Sequence, residues 1–209
     1  MGLDTFFAFL IASIVISVSP GAGAVNTLSN GVLYGVRGTL PAIAGLQIGL
    51  LATTLLVGIG LGAIIGSSVY LFNLIKWVGV AYLIYLGYCK WRDKGDLALS
   101  SNAKKQSARK QFSQAVLVNL TNPKAIVFLI ALFPQFVDPQ APKLMQFFIL
   151  GGTMVVVDTI VMLGYASLAS RLSRWVQEPK MMRLQNRIFG SLFVGAGIAL
   201  ATSAKSSAS

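Results

Sequence analysis

The sequence predicts an all-α, polytopic membrane protein of about six transmembrane helices, built as two inverted three-helix halves with proline-broken first helices. Three observations predict it. The 209 residues are 55% hydrophobic and only 11% charged, with a mean hydropathy of +0.73; a water-soluble domain carries about a quarter charged residues. The apolar residues gather in six runs near the ~20 residues that a helical span needs. Two of those runs, the first of each half, are interrupted by proline at similar depth, at Ser19-Pro20-Gly21 and at Asn122-Pro123.

The runs cover residues 5–28, 39–65, 69–89, 112–136, 144–169 and 188–204. The first has the length of a signal-peptide core, and Ala22-Gly23-Ala24 imitates a cleavage site. Residues 1–4, however, bring no Lys or Arg and one acid, Asp4, so the run is expected to stay as a span. The sixth is short and rich in small residues. Small residues also recur every fourth position at Gly58, Gly62 and Gly66, and at Ser191, Gly195, Ala199 and Ser203. Such rows let membrane helices approach closely, and the second row makes a homodimer conceivable.

Charge sets the orientation. The chain carries 17 Lys and Arg against 6 Asp and Glu, a formal charge of +11. All but four of the basic residues fall between the first and second runs (Arg37), the third and fourth (Lys90 to Lys110), and the fifth and sixth (Arg171 to Arg187). Basic connections stay in the cytoplasm, which places both termini on the far side. Tyr88, Trp91 and Trp175 lie at span ends beside the basic connections. The basic excess is thus a topology signal and a contact with anionic lipid, and nucleic acid is not an expected partner. The polar linker divides the chain into an N-terminal half (1–92), a basic cytoplasmic linker (93–111) and a C-terminal half (112–209). Three spans per half is an odd number, so a repeated half must insert upside down, as in many secondary transporters.

The composition argues against an enzyme. There is no histidine and one cysteine, Cys89, at the end of an apolar run. That removes His-metal sites, His-based triads and disulfides together. No phosphate-binding loop appears: Gly58-Ile59-Gly60-Leu61-Gly62 lacks the preceding strand and the following Lys-Ser/Thr, and reads as helix packing. No cofactor and no metal is expected.

The broken runs carry the chemistry. Proline removes one N–H and strands carbonyls that must find partners in protein or in a wet cavity. After Pro20, Gly21 and Gly23 leave amides exposed, and the restarted helix aims the positive end of its dipole inward. That suits a carboxylate. Pro123 creates the mirror-related end, where Lys124 adds a full positive charge. Polar neighbours Ser19, Asn26 and Asn122 complete a candidate substrate site. Gln47, an amide inside the second run, needs a partner in a neighbouring helix or in the substrate. Asp158 is the acid well inside a span, flanked by Val155-Val156-Val157 and Thr159-Ile160-Val161. An ionisable group there faces the bundle interior. It can carry a coupling proton, bind a substrate ammonium, or pair structurally with Lys76.

At these residues a family resemblance becomes visible. Ser17-Val18-Ser19-Pro20-Gly21-Ala22-Gly23-Ala24 and Asn119-Leu120-Thr121-Asn122-Pro123-Lys124-Ala125 resemble the paired signatures of the LysE/RhtB family of amino-acid exporters. Ala44-Gly45-Leu46-Gln47-Ile48-Gly49-Leu50, Ala131-Leu132-Phe133-Pro134-Gln135-Phe136 and Val156-Val157-Asp158 fit as well, so the likeness spans nearly the whole chain. Ala22 stands where many members have a second proline, which reads as subfamily variation. The resemblance implies a bacterial inner-membrane antiporter that exports a small neutral amino acid or derivative (homoserine, its lactone or threonine) in exchange for protons. Two alternatives remain at this point: a different cargo, leucine-like or basic, and a membrane scaffold or assembly subunit that transports nothing.

Overall fold

The structure, a computed structural model, describes residues 2–67, 69–92, 106–138, 140–171 and 179–202, with the backbone alone at some positions, among them 61–67 and Lys76. Most of the basic linker, Trp175, Ser203 and the side chain of Lys76 fall outside this description, and with them the Lys76 pairing considered for Asp158.

Helices occupy all six apolar runs. Helix α1 (Leu3–Val18) stops where expected. Ser19 N–H still reaches the Val15 carbonyl (3.0 Å), but Ser19 itself is extended, as the residue before a proline prefers. Helix α2 (Ala22–Ser67) restarts behind Pro20, with Val25 N–H on the Gly21 carbonyl (3.0 Å). It reverses course at Gly35, whose φ of 67° lies in the left-handed region open to glycine. Residues 22–34 therefore finish the first broken span and 36–67 form the second. The connection expected around Arg37 shrinks to that one glycine. Helix α3 (Val69–Arg92) follows.

Helix α4 (Ala108–Leu120) is capped by Ser107, whose hydroxyl accepts from Lys110 N–H (3.4 Å). It ends at Thr121, and α5 (Pro123–Val127) begins with Asn122 as N-cap and proline in the first turn. The two parts meet at 45°. Beyond α5 the chain widens into a π turn (Phe128–Leu132) and tightens into a 3-10 turn (Phe133–Phe136). Helix α6 (Lys143–Arg171) and helix α7 (Pro179–Thr202) complete the fold. The sixth helix begins nine residues before the apolar run expected for it. Among the described residues, 144–171 is long and apolar enough to cross a membrane, as is 22–60 counted through the Gly35 turn, and the bent pair 108–120 with 123–136 makes a third. Large side chains such as Leu3, Ile59, Leu144 and Phe148 stand exposed on the outside, as lipid-facing residues do.

Close backbone contacts set the packing. The second arm of α2 runs parallel to α4: a Cβ at Gly49 would lie 2.8 Å from the Val116 carbonyl oxygen, and Gly45 abuts the Phe112 carbonyl. Residues 22–34 lie along α6, with Gly31 against Ala166 and Ala169. Tyr34 Oη accepts from Gln106 N–H (2.6 Å), which ties the Gly35 turn to the start of α4. Helix α7 packs antiparallel on α3, and Trp91 donates to the Arg187 carbonyl (3.2 Å). The glycines that admit α3 are Gly190 and Gly197. Of the expected row, Gly195 meets nothing within 4 Å, whereas Ser191 accepts a hydrogen bond from Trp91 of α3 (3.3 Å).

Two apolar cores result. One holds Phe9, Leu50, Phe128, Phe133, Leu150 and Met154. The other holds Leu28, Ile43, Leu46, Ala115, Met162 and Tyr165. Between them lies a polar layer at the level of both proline breaks.

Candidate functional site

The break after α1 strands carbonyl groups, and the second broken span supplies their partner. The Lys124 ammonium donates to the Ile16 carbonyl (2.7 Å) and to the Ser19 carbonyl (2.7 Å). Its alkyl chain passes over Gly21, where a Cβ would come within 3.1 Å of Lys124 Cε. Gly21 is therefore needed for close approach of a side chain. Gly23 is not: a Cβ there would make an ordinary contact with Leu46 at 3.5 Å. Tyr165 Oη donates to the Val18 carbonyl (2.5 Å), so the end of α1 is capped from α5 and α6 together. This is favourable twice over, since a cation at a helix C-terminus meets both free carbonyls and the negative dipole end.

The restart of the second broken span is capped locally. Asn122 is buried and its Oδ1 accepts from Lys124 N–H (3.2 Å), while Pro123 fixes the first turn. One turn earlier Asn119 donates from Nδ2 to the Leu46 carbonyl (2.6 Å) across to α2.

Asp158 and Gln47 meet across α6 and α2. Gln47 Nε2 donates to Asp158 Oδ2 at 2.9 Å, and Gln47 Oε1 is left buried without a partner. Lys124 lies close enough to Asp158 for the two charges to interact, yet they form no ion pair.

These groups surround a cavity of about 30 Å³. Its polar walls come from Ser17, Asn119, Asn122, Lys124 and Asp158, and its apolar walls from both cores. A polar cavity holds one water per roughly 10–15 Å³ measured this way. By that measure it has room for two or three waters and not for an amino acid. An aromatic closure stands toward the start of α1: the Phe9 ring lies 5.2 Å from Phe136, 5.7 Å from Phe133 and 6.4 Å from Phe128.

Of the residues expected from sequence, Gly23, Asn122, Lys124 and Asp158 line the cavity, Gln47 is bonded to Asp158, and Ser19, Pro20, Gly21 and Pro123 form the breaks beside it. Asn26 does not join them. It lies a turn further along α2, and its side chain and carbonyl both accept from Asn30. Sequence reasoning overlooked Ser17, Asn119, Met154, Met162 and Tyr165 as site residues. Ser17 was findable as a second polar residue one turn after Ser13 in an apolar helix, and Asn119 as a polar residue one turn before Asn122. The methionines and Tyr165 carry no such signal.

A helical bundle crossing the membrane, with a half-buried acid and a half-buried lysine on one small cavity beside two helix breaks, has the architecture of a membrane transporter. The family model of LysE type translocators matches residues 14–204, and the chain belongs to that family. It is 49% identical over 202 residues to an uncharacterized membrane protein of Vibrio cholerae, covering 97% of this chain and 98% of that one. It is 49% and 50% identical, over the same shares, to the homoserine/homoserine lactone efflux proteins of Salmonella typhimurium and Salmonella typhi. No solved structure matches significantly. Translocators of this family are transporters, which sets aside both the enzyme and the scaffold readings.

Proposed function

We propose that this chain exports small neutral amino acids or their derivatives, homoserine and its lactone first among them and threonine next, across the bacterial inner membrane in exchange for protons. The cargo rests on the homoserine/homoserine lactone efflux proteins that share half its residues across almost its full length. The observation that carries the mechanism is the gathering of Lys124, Asp158 and Gln47 around one small cavity beside the two proline breaks.

In this reading the substrate carboxylate competes with the Ile16 and Ser19 carbonyls for the Lys124 ammonium. The amides at the start of α2 support it. The substrate ammonium takes the Asp158 carboxylate and the unused Gln47 carbonyl. A neutral lactone retains the ammonium contacts. Protonation of Asp158 removes its charge and releases the cargo, which couples the two fluxes. Lys124, Asp158, Asn119 and Tyr165 all reach from the C-terminal half (112–209) to the N-terminal half (1–92). Exchanging those bonds for bonds to substrate lets the halves rock about the site, joined by the basic linker (93–111). The basic connections face the cytoplasm and both termini the opposite side. The open Gly195 face of α7 is where a second copy packs if the exporter is a homodimer.

Purified protein in liposomes tests this. Labelled homoserine should move against its gradient when a pH gradient is imposed. Movement of leucine or lysine in place of homoserine changes the cargo, and absence of flux for every amino acid overturns the reading.

A further inference from the structure

Helical serines and threonines in this chain close on the carbonyl four residues back, as Thr39, Thr53, Thr54, Thr153 and Thr159 do. That bond satisfies a hydroxyl that has no better partner. Ser13, Ser17 and Ser19 behave differently. They are 0%, 2% and 0% exposed, and none of their hydroxyls has a partner. Among the described residues they are the only buried hydroxyls in this position. Each such group costs about 1–3 kcal/mol when left unsatisfied. Ser19 sits at the break itself, but Ser13 and Ser17 are successive turns of α1 and call for a common explanation.

Their placement supplies it. Ser17 lines the cavity that also holds Asp158. Ser13 is one turn away on the same face of α1, leading out of the cavity, at a Cβ spacing of about 5–6 Å that one water bridges. The cavity volume suits two or three waters with several polar partners. Past Ser13 the same face reaches Phe9, buried in the aromatic closure.

We infer that Ser13 and Ser17, with water in the cavity, form a proton relay between Asp158 and the N-terminal side of α1. A hydroxyl accepts a proton from one neighbour and passes its own to the next. After one transfer both serines are unchanged, and one proton has moved between bulk water and the Asp158 carboxylate. Exchange with bulk waits until Phe9 and its partners separate. The polar groups that line the cavity with Asp158 are Lys124 from α5, Asn122 at its N-cap, Ser17 from α1 and Asn119 from α4, and neutral Gln47 from α2 bonds to it. The Lys124 ammonium is engaged by the Ile16 and Ser19 carbonyls, and Ser17 is the one hydroxyl in the cavity lining.

The relay rests on the proton-exchange reading above, and the test separates the two. Valine and threonine have the same shape, so Ser13→Val and Ser13→Thr differ by the hydroxyl alone. Both variants are reconstituted as full chains, and two quantities are read. One is equilibrium binding of labelled homoserine at fixed pH, which does not depend on how fast a proton reaches Asp158. The other is accumulation driven by a pH gradient. We expect both variants to bind with unaltered affinity. Gradient-driven accumulation should fall at least about tenfold in Ser13→Val, the effect of ~1.4 kcal/mol on a barrier, and persist in Ser13→Thr. Equal accumulation in the two variants overturns the relay. If the unaltered chain binds homoserine and does not accumulate it under a pH gradient, the antiport reading fails and the relay with it. Should Ser13→Val fail to insert, Ser13→Ala against the unaltered serine removes the hydroxyl alone and makes the same comparison.

Discussion

The Lys124 ammonium lies 2.7 Å from the Ser19 carbonyl oxygen, bridging the break in the second broken span to the break in the first. One side chain thus caps the helix that Pro20 cuts short and braces the two halves at the level of the cavity. Charge-assisted bonds of this kind contribute about 1.5–3 kcal/mol each. Lys124→Met should remove both and leave the Ile16 and Ser19 carbonyls buried without a donor. We expect a loss of roughly 2–4 kcal/mol of stability, read as a lower midpoint in thermal unfolding of the detergent-solubilised chain, together with loss of homoserine flux. Unchanged unfolding would mean that the brace contributes nothing.

Asp158→Asn retains an oxygen that accepts from Gln47 Nε2, so the contact between α6 and α2 survives. The variant should insert and unfold much like the unaltered chain. Gradient-driven transport should vanish, because the amide no longer binds and releases a proton. Liposome flux with and without a pH gradient distinguishes this from a structural role, which would lower both.

The contact itself is measurable. A double-mutant cycle over Gln47→Leu and Asp158→Leu should return a coupling of about 0.6–1.7 kcal/mol, the range seen for polar pairs between membrane helices. A coupling near zero in unfolding experiments would show that the pair is held by its surroundings rather than holding them.

Helix spacing makes a contrasting pair of substitutions. Gly49→Val forces a side chain onto the Val116 carbonyl and Asn119 and should destabilise by roughly 1–3 kcal/mol through overpacking. Gly195→Ala adds a methyl where nothing lies within 4 Å and should leave stability unchanged or slightly raised. Thermal unfolding of the two variants side by side checks the assignment of which glycines admit a neighbour.

Phe9→Ala empties the centre of the aromatic closure. The cavity left should cost about 3–5 kcal/mol and open a leak toward the N-terminal side of α1. The measurement is proton leakage from liposomes in the absence of substrate. Tight vesicles holding the folded variant would place the closure elsewhere.

Membrane helices were legible because lipid imposes them. A chain with too few charges to meet water, and with ~20-residue apolar runs, must pair its backbone within helices. The same reasoning located the helix breaks, since Pro20 and Pro123 remove donors whatever surrounds them. Asp158 and Gln47 stood out because a polar side chain in an apolar run needs a reason. The helix ends were less legible: α7 begins well before its apolar run, since a helix continues into the polar zone without needing hydrophobic residues there. The turn at Gly35 replaced a longer expected connection because one residue with positive φ reverses the chain.

What the sequence determined by itself is the set of elements and the level of the site, through local effects of proline, burial and charge. Which groups meet there was decided by the tertiary structure. Lys124 was expected to offer its charge to a ligand, and in the folded chain it caps carbonyls some hundred residues away. Asn26 was expected in the site and pairs instead with Asn30. Only the fold shows that the Ser13 and Ser17 hydroxyls are buried without partners. The physical reason is common to all three: a polar side chain must satisfy its hydrogen bonds, but only packing across the bundle decides which acceptors come within reach.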